Sequence, residues 1–314
     1  MTLQMSDKGP AYGIAAVERD TGLSKDTLRV WERRYGFPQP ARDANDERLY
    51  SQDELDKLRL IRHLMDHGRR PGTLMGLDRE ALERLIEQSA GPREPPPPMR
   101  ELLSLLLAHD IDRLRDRLLQ LLMKQGLQRF IIDTVAPFNY WLGEGWLRGE
   151  VAVFDEHLYS EHIQNILRNA IIAQPGRGST PRVLLTSLPG EKHRIGLLMV
   201  EALLTLEGAR CVALGAETPV IDIRRAVEAY EVDIVALSFS AATSTSAAIA
   251  GLRELRALLP ADTAVWAGGS GVARSRKTVP GVSLLRSLDQ LQQALMDWRA
   301  AADADSPHPI PKPS

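Results

Sequence analysis

The chain has 314 residues, 44% of them hydrophobic and 25% charged, a globular composition with room for two or three domains. Its formal net charge is −2, so no global basic field marks it for nucleic acid and any such surface must be local. A single cysteine, Cys211 in the run GARCVALG, excludes an internal disulfide framework, fits a reducing cytoplasm and reads as a buried strand residue; no apolar run is long enough to span a membrane, and the opening MTLQMSDKGP lacks the basic start and apolar core of a signal peptide.

The first segment, YGIAAVERDTGLSKDTLRVWERRYG, predicts a helix-turn-helix. Ile14 to Asp20 form a short helix, Thr21-Gly22-Leu23 the turn, and Ser24 the N-cap of a second helix that reaches Tyr35. Leu28 and Trp31 face the first helix, while Lys25, Thr27, Arg29, Arg33 and Arg34 supply donors for phosphates and base edges. The Pro-rich and Asn-Asp turns of FPQPARDANDERLY bracket a two-stranded wing, and another helix starts at Asp53. The plainer alternative is a helical hairpin with a solvated charged face, since acids and bases nearly balance here.

SAGPREPPPPMR closes this region, 1–88, because four consecutive prolines favour an extended spacer, placed at 89–99. From Met99 to Ala173 the apolar spacing is helical. Gly126, Pro137 and the Gly143–Gly149 stretch break it, which predicts a four-helix bundle over 100–175. QPGRGSTP is a second boundary. Beyond it, over 180–302, the strands RVLLTSL, ARCVALG, DIVALSFS, TAVWAGG and VSLL alternate with amphipathic helices. That is a (βα)5 pattern, a doubly wound, Rossmann-like (flavodoxin-like) parallel sheet, so the chain as a whole is α and α/β multidomain. The proline-rich end, 303–314, reads as a disordered tail.

The stretch EKHRIG follows the first of these strands, where ligands bind in such sheets. An imidazole there serves as metal ligand, general base or satisfied loop side chain, and the residues alone leave these open. A zinc site is disfavoured, because no other His or Cys lies near His193 in sequence.

Three motif sets carry resemblances. Ile14-Ala15-Ala16-Val17, the run Thr27-Leu28-Arg29-Val30-Trp31-Glu32-Arg33-Arg34-Tyr35-Gly36 and the wing ending Arg48-Leu49-Tyr50 resemble the winged DNA-binding domain of the MerR family of transcription regulators. That resemblance implies binding of double-stranded operator DNA through Ser24, Lys25, Thr27, Arg29, Arg33, Arg34, Tyr35, Arg48 and Tyr50, by a homo-oligomer (dimer or tetramer) on a two-fold site. Glu191-x-His193-x-x-Gly196 resembles the D-x-H-x-x-G of the cobalamin-binding domains of methionine synthase and the mutases. Ser238-x-Ser240 stands where those domains have S-x-L, and Gly268-Gly269 where they have a Gly pair. The departures are Glu191 for Asp and Ser240 for Leu. The resemblance implies that His193 ligates cobalt from below through Nε2, that Glu191 accepts from its Nδ1–H, and that Gly196, Ser238, Gly268 and Gly269 line the path of the displaced nucleotide tail.

Trp146, nine intervening residues and Glu156-His157 match the W-x9-E-H pattern of the CarH/LitR-type photoreceptors, which are MerR-like repressors with an adenosylcobalamin-binding half. The resemblance implies that Trp146 packs over the adenosyl group while Glu156 and His157 help hold it. In well-known members a His follows that Trp; here it is Leu147, which cannot ligate, with His157 and His162 as substitutes. The implied function is a cytoplasmic repressor controlled by adenosylcobalamin and light. Methylcobalamin is the alternative cofactor, and cobalamin or antirepressor control without light the alternative mode. A corrinoid methyltransferase or mutase subunit is disfavoured, because a DNA-binding head has no place in one and no barrel-sized domain exists.

Overall fold

Short-range signals set the first elements. In the computed structural model, which describes residues 11–66, 69–89, 94–147, 149–174, 178, 180–273 and 275–305 (backbone alone at 66, 87–89, 147 and 305), strand β1 is Ala11–Gly13 and helix α1 Ile14–Thr21. Gly22 stops α1 in the left-handed region, at φ 68°, with its N–H on the Glu18 carbonyl. The Ser24 side chain accepts from the Thr27 N–H and so starts α2, Lys25–Tyr35. Strands β2 (Ala41–Arg42) and β3 (Arg48–Ser51) follow, then α3 (Gln52–Asp66), α4 (Pro71–Leu74) and α5 (Arg79–Ser89). The antiparallel order is β1-β3-β2, so the expected two-stranded wing has β1 as a third strand. Val17, Leu28, Trp31, Tyr50, Leu58, Ile61, Leu64 and Leu82 make the core beneath it.

Helix α6 is Pro97–Leu107 and begins on two of the four prolines. A proline in the first turn loses no intrahelical bond, so the expected spacer ends before Pro97. Next come α7 (Ile111–Gln125), α8 (Leu127–Arg129), a π-helical turn Phe130–Val135, α9 (Ala136–Leu147) and α10 (Val153–Ile172). The chain divides into two compact units, Met1–Asp110 with Phe138–His157, and Ile111–Pro137 with Leu158–Ser314. The helices expected to form one bundle are thus shared between them.

The second unit holds the sheet. Its strands are β4 (Arg182–Thr186), β5 (Arg210–Gly215), β6 (Ile234–Ser238), β7 (Ala264–Gly268) and β8 (Ser283–Leu285), all parallel, in the order β5-β4-β6-β7-β8. Helices α11 (Ile195–Leu206), α12 (Val220–Tyr230), α13 (Thr245–Leu258), α14 (Ser270–Ala273) and α15 (Asp289–Asp305) connect and close it. Leu184, Val235, Leu237, Val265 and Ala267 pack with Ile223, Val227, Leu252 and Leu255. The apolar runs of β4, β6 and β7 follow from this, because both faces of the centre of a parallel sheet are covered, while the edge strand β5 is part-exposed. The helix α15 continues through 303–305, residues expected in the tail; 306–314 lie outside the described residues. Among the described residues no helix is long and apolar enough to cross a membrane.

Candidate cofactor site and nucleic-acid interface

The order β5-β4-β6 reverses direction between β4 and β6, which opens a crevice at their carboxyl ends. The loop after β4 carries Glu191 and His193; the loop after β6 carries Ser240 and Thr243. These two loops meet on one carboxylate. Glu191 is 2% exposed. Its Oε1 accepts from the His193 N–H at 3.0 Å and faces His193 Nδ1 at 2.7 Å. Its Oε2 accepts from the Ser240 N–H at 2.7 Å, the Ser240 hydroxyl at 2.8 Å and the Thr243 hydroxyl at 2.8 Å. Burial pushes this carboxyl upward, but the His193 ring and backbone bonds, the His193 charge and the Thr243 hydroxyl outweigh it and hold the group down at about 2.

His193 is held from one side. Its Nδ1 lies against the Glu191 carboxylate and 2.9 Å from Ser240 Oγ, while its side chain is 56% exposed. A carboxylate on Nδ1 fixes the proton there, so Nε2 is the nitrogen through which this ring would ligate. Among the described residues no group of three or more His, Cys, Asp or Glu converges. Such a donor set suits a metal that arrives with most of its ligands, as cobalt does in a corrin, and the residues present fit the implied cofactor on that ground.

The structure brings the remaining predicted residues of this half to the same edge. Ser238 pairs with Gly268 across β6 and β7, and the Phe239 N–H donates to the Gly268 carbonyl at 2.9 Å. A Cβ at Gly196 would collide with Ser238 Oγ, and one at Gly269, whose φ is 97°, with the Phe239 carbonyl. These two glycines therefore answer first to the chain's own packing. Thr243 was missed in the sequence; the hydroxyl-rich run SFSAATSTS was the only signal for it.

Trp146, Glu156 and His157 belong to the first unit. Trp146 is half-buried near the end of α9, and the Arg59 guanidinium lies over its ring, 5.1 Å from the centroid. Glu156, in the first turn of α10, lies 3.7 Å from Nε2 of the exposed His157. His162 is half-buried further along α10. The backbone of Leu147 ends α9, and its side chain lies outside the described residues.

On α2, Ser24, Arg29, Arg33 and Arg34 are exposed and Lys25, Thr27 and Tyr35 half-buried, so the helix presents a basic edge. Arg29 pairs with Asp26 at 3.1 Å, Lys25 lies 3.8 Å from Glu18, and Arg34 lies over the Tyr35 ring. Two wing residues are held within the head. Arg48 bonds Glu32 of α2 at 2.7 and 3.3 Å, and the Glu32 hydrogen bond raises its pKa. It braces the wing against α2. Tyr50 is 0% exposed, on the inner side of β3 opposite Tyr12, and burial drives its phenol up to about 12. The expected DNA contact through Tyr50 is corrected: its side chain is core.

Fold and site together define a winged helix-turn-helix DNA-binding head on a chain whose second half is a flavodoxin-like cobalamin-binding fold. Comparison with known proteins agrees. Residues 12–77 match the MerR HTH family regulatory proteins, and residues 99–170 and 181–283 match B12 binding domains. The chain is 31% identical over 277 residues to the HTH-type transcriptional repressor CarH of Myxococcus xanthus, covering 85% of this chain and 91% of that one. It is 32% identical over 275 residues to the repressor CarA of the same organism, covering 85% and 89%. The monomethylamine corrinoid protein of Methanosarcina barkeri shares the fold at 14% identity, with TM-score 0.51, over 63% of this chain and 96% of that chain. The chain belongs to the MerR-type transcriptional repressors that carry B12 binding domains, and it is a regulator rather than an enzyme.

Proposed function

We propose that the protein is a light-responsive repressor whose ligand is adenosylcobalamin. The observation that carries this is the Glu191–His193–Ser240 network at the switch point, in a chain that also has a helix-turn-helix head. Bound adenosylcobalamin supplies a light-labile bond between cobalt and the adenosyl carbon. His193 would ligate the cobalt through Nε2, with Glu191 and Ser240 holding its ring. Trp146 offers a flat apolar face to the nucleoside, and Glu156 and His157 offer polar partners to it. The α2 edge and the wing hold operator DNA, in the cytoplasm, as a dimer or tetramer. Loss of the nucleoside would remove its contact with Trp146 and weaken the oligomer, a small change that multivalency would turn into loss of DNA.

Absorption spectra and size-exclusion profiles with adenosylcobalamin, in darkness and after green light, test this. The expected result is a bound spectrum that His193→Ala alters, and a light-dependent mass change. Bound cofactor with equal mass and equal DNA affinity in both conditions would refute light control. One observation favours a second reading, cobalamin or antirepressor control without light: Leu147 stands where a ligating His follows the Trp in well-known members. Methylcobalamin, run in parallel, separates the two cofactor forms.

A further inference from the structure

The Arg59 side chain is 13% exposed and donates from all three of its guanidinium nitrogens. Its Nε and Nη2 donate to the two oxygens of Asp20, on α1, at 2.7 and 2.6 Å. Its Nη1 donates to Asp56, one turn back on α3, at 3.0 Å. The same guanidinium lies over the Trp146 indole, 5.1 Å from the ring centroid. A second contact lies one turn along: His63 Nε2 of α3 is 4.0 Å from Glu144 Oε1, two residues before Trp146. Glu144 is itself 7% exposed. The end of α9 is therefore tied to α3 at Arg59, with His63 and Glu144 facing each other one turn along. Through Asp20 the fastening continues into α1, the helix that packs against α2 and precedes it by three residues.

An indole stacks on a guanidinium and on a nucleobase through the same π surface. We infer that Arg59 is a positioning residue through which Trp146 is tied to the DNA-binding helices, so that a nucleoside engaging Trp146 changes how firmly α1 and α3 are held. The inference rests on the cofactor reading for its ligand, but the tie itself rests on the Arg59 contacts alone. Coupling of this kind is reciprocal: whatever the nucleoside does to α1 and α3, DNA on α2 does in turn to the nucleoside.

Hydrogen exchange of the full chain in darkness, read for α1 and α3 with and without adenosylcobalamin, tests both parts, with the cofactor's absorption spectrum recorded alongside. Trp146→Ala is expected to speed exchange in α1 and α3 about three- to thirty-fold, the range for a partly desolvated cation–π contact, and Trp146→Phe to restore most of it. Adenosylcobalamin is expected to change that exchange in the wild type and to leave it unchanged in Arg59→Gln, which still takes up the cofactor by its spectrum. Wild-type exchange in Trp146→Ala overturns the inference, as does a cofactor response that persists in Arg59→Gln, or loss of uptake in that variant. If the wild type takes up no cofactor, the proposed function fails, while the comparison of Trp146→Ala, Trp146→Phe and Arg59→Gln without cofactor still decides the tie.

Discussion

Replacing Glu191 by Gln keeps the shape of the side chain and exchanges one carboxylate oxygen for an NH2. The two orientations of the amide are both wrong. With NH2 at the Oε1 position it faces the His193 N–H; at the Oε2 position it faces the Ser240 N–H. The Ser240 and Thr243 hydroxyls can turn to accept, but a backbone N–H cannot. One part-buried backbone donor therefore loses its partner, at about 1–3 kcal/mol, and the bonds that survive lose the charge that strengthens them. The sum is about 3 kcal/mol, or roughly a hundred-fold in the opening equilibrium of the sheet. Hydrogen exchange of the β4 and β6 amides reads that opening directly, without requiring the whole chain to unfold in one step. Thr243→Val is the control: it removes one of several bonds to a carboxylate that stays satisfied, so about 1 kcal/mol is expected. Glu191→Gln sheet amides that exchange within about two-fold of wild type would refute the claim that this carboxylate is the hub of the two loops.

Arg48→Ala and Glu32→Ala should each weaken the head by about 1 kcal/mol, and the double variant by little more than either; additivity by denaturant titration would show that the pair does not brace the wing. Tyr50 has a buried hydroxyl with no hydrogen-bond partner among the described residues, so Tyr50→Phe should leave stability unchanged or raise it by up to about 1 kcal/mol. The sign at high pH follows from a folded pKa of about 12 against 10.0: the contribution is whole below 10 and is lost toward 12, by about 1.4 kcal/mol per unit, in wild type and not in Tyr50→Phe melts. Cys211 is half-buried on the edge strand β5, and desolvation lifts its thiol from 9.0 to about 12, so iodoacetamide near neutral pH should label it more slowly in the folded chain than in urea; equal rates would contradict that shift.

The parts legible in the sequence are those whose cause is local. Ser24 as a cap, Gly22 as a stop, and the apolar runs of the central strands are each decided within a few residues, so α1, α2 and the five parallel strands stand as expected. Tyr50 was misplaced because the side a strand residue faces depends on its partners, and β1, only three residues long, is too short to announce itself. The Arg59 contacts were invisible for the same reason: Asp20 lies 39 residues away in sequence, and nothing near Trp146 names its partner. The π-helical turn before α9 has no sequence mark at all that we can identify.

The two departures from the cobalamin-domain pattern show what geometry adds. Read along the chain, Glu191 for Asp and Ser240 for Leu are separate losses, 49 residues apart, each weakening the match. In the structure they are one arrangement, because the Ser240 hydroxyl sits 2.8 and 3.1 Å from the two Glu191 oxygens and 2.9 Å from the His193 ring. A leucine at 240 would supply only the backbone N–H and would set apolar carbon against the carboxylate, leaving the charge to His193 and Thr243 with one bond fewer. A longer acid reaches further across the crevice, and a hydroxyl on the far side receives it. The pair keeps the function that matters for His193, a satisfied carboxylate on Nδ1, by a different division of labour between the loops after β4 and β6. The departures therefore leave His193 with a satisfied carboxylate on Nδ1, the arrangement on which the proposed ligation through Nε2 rests.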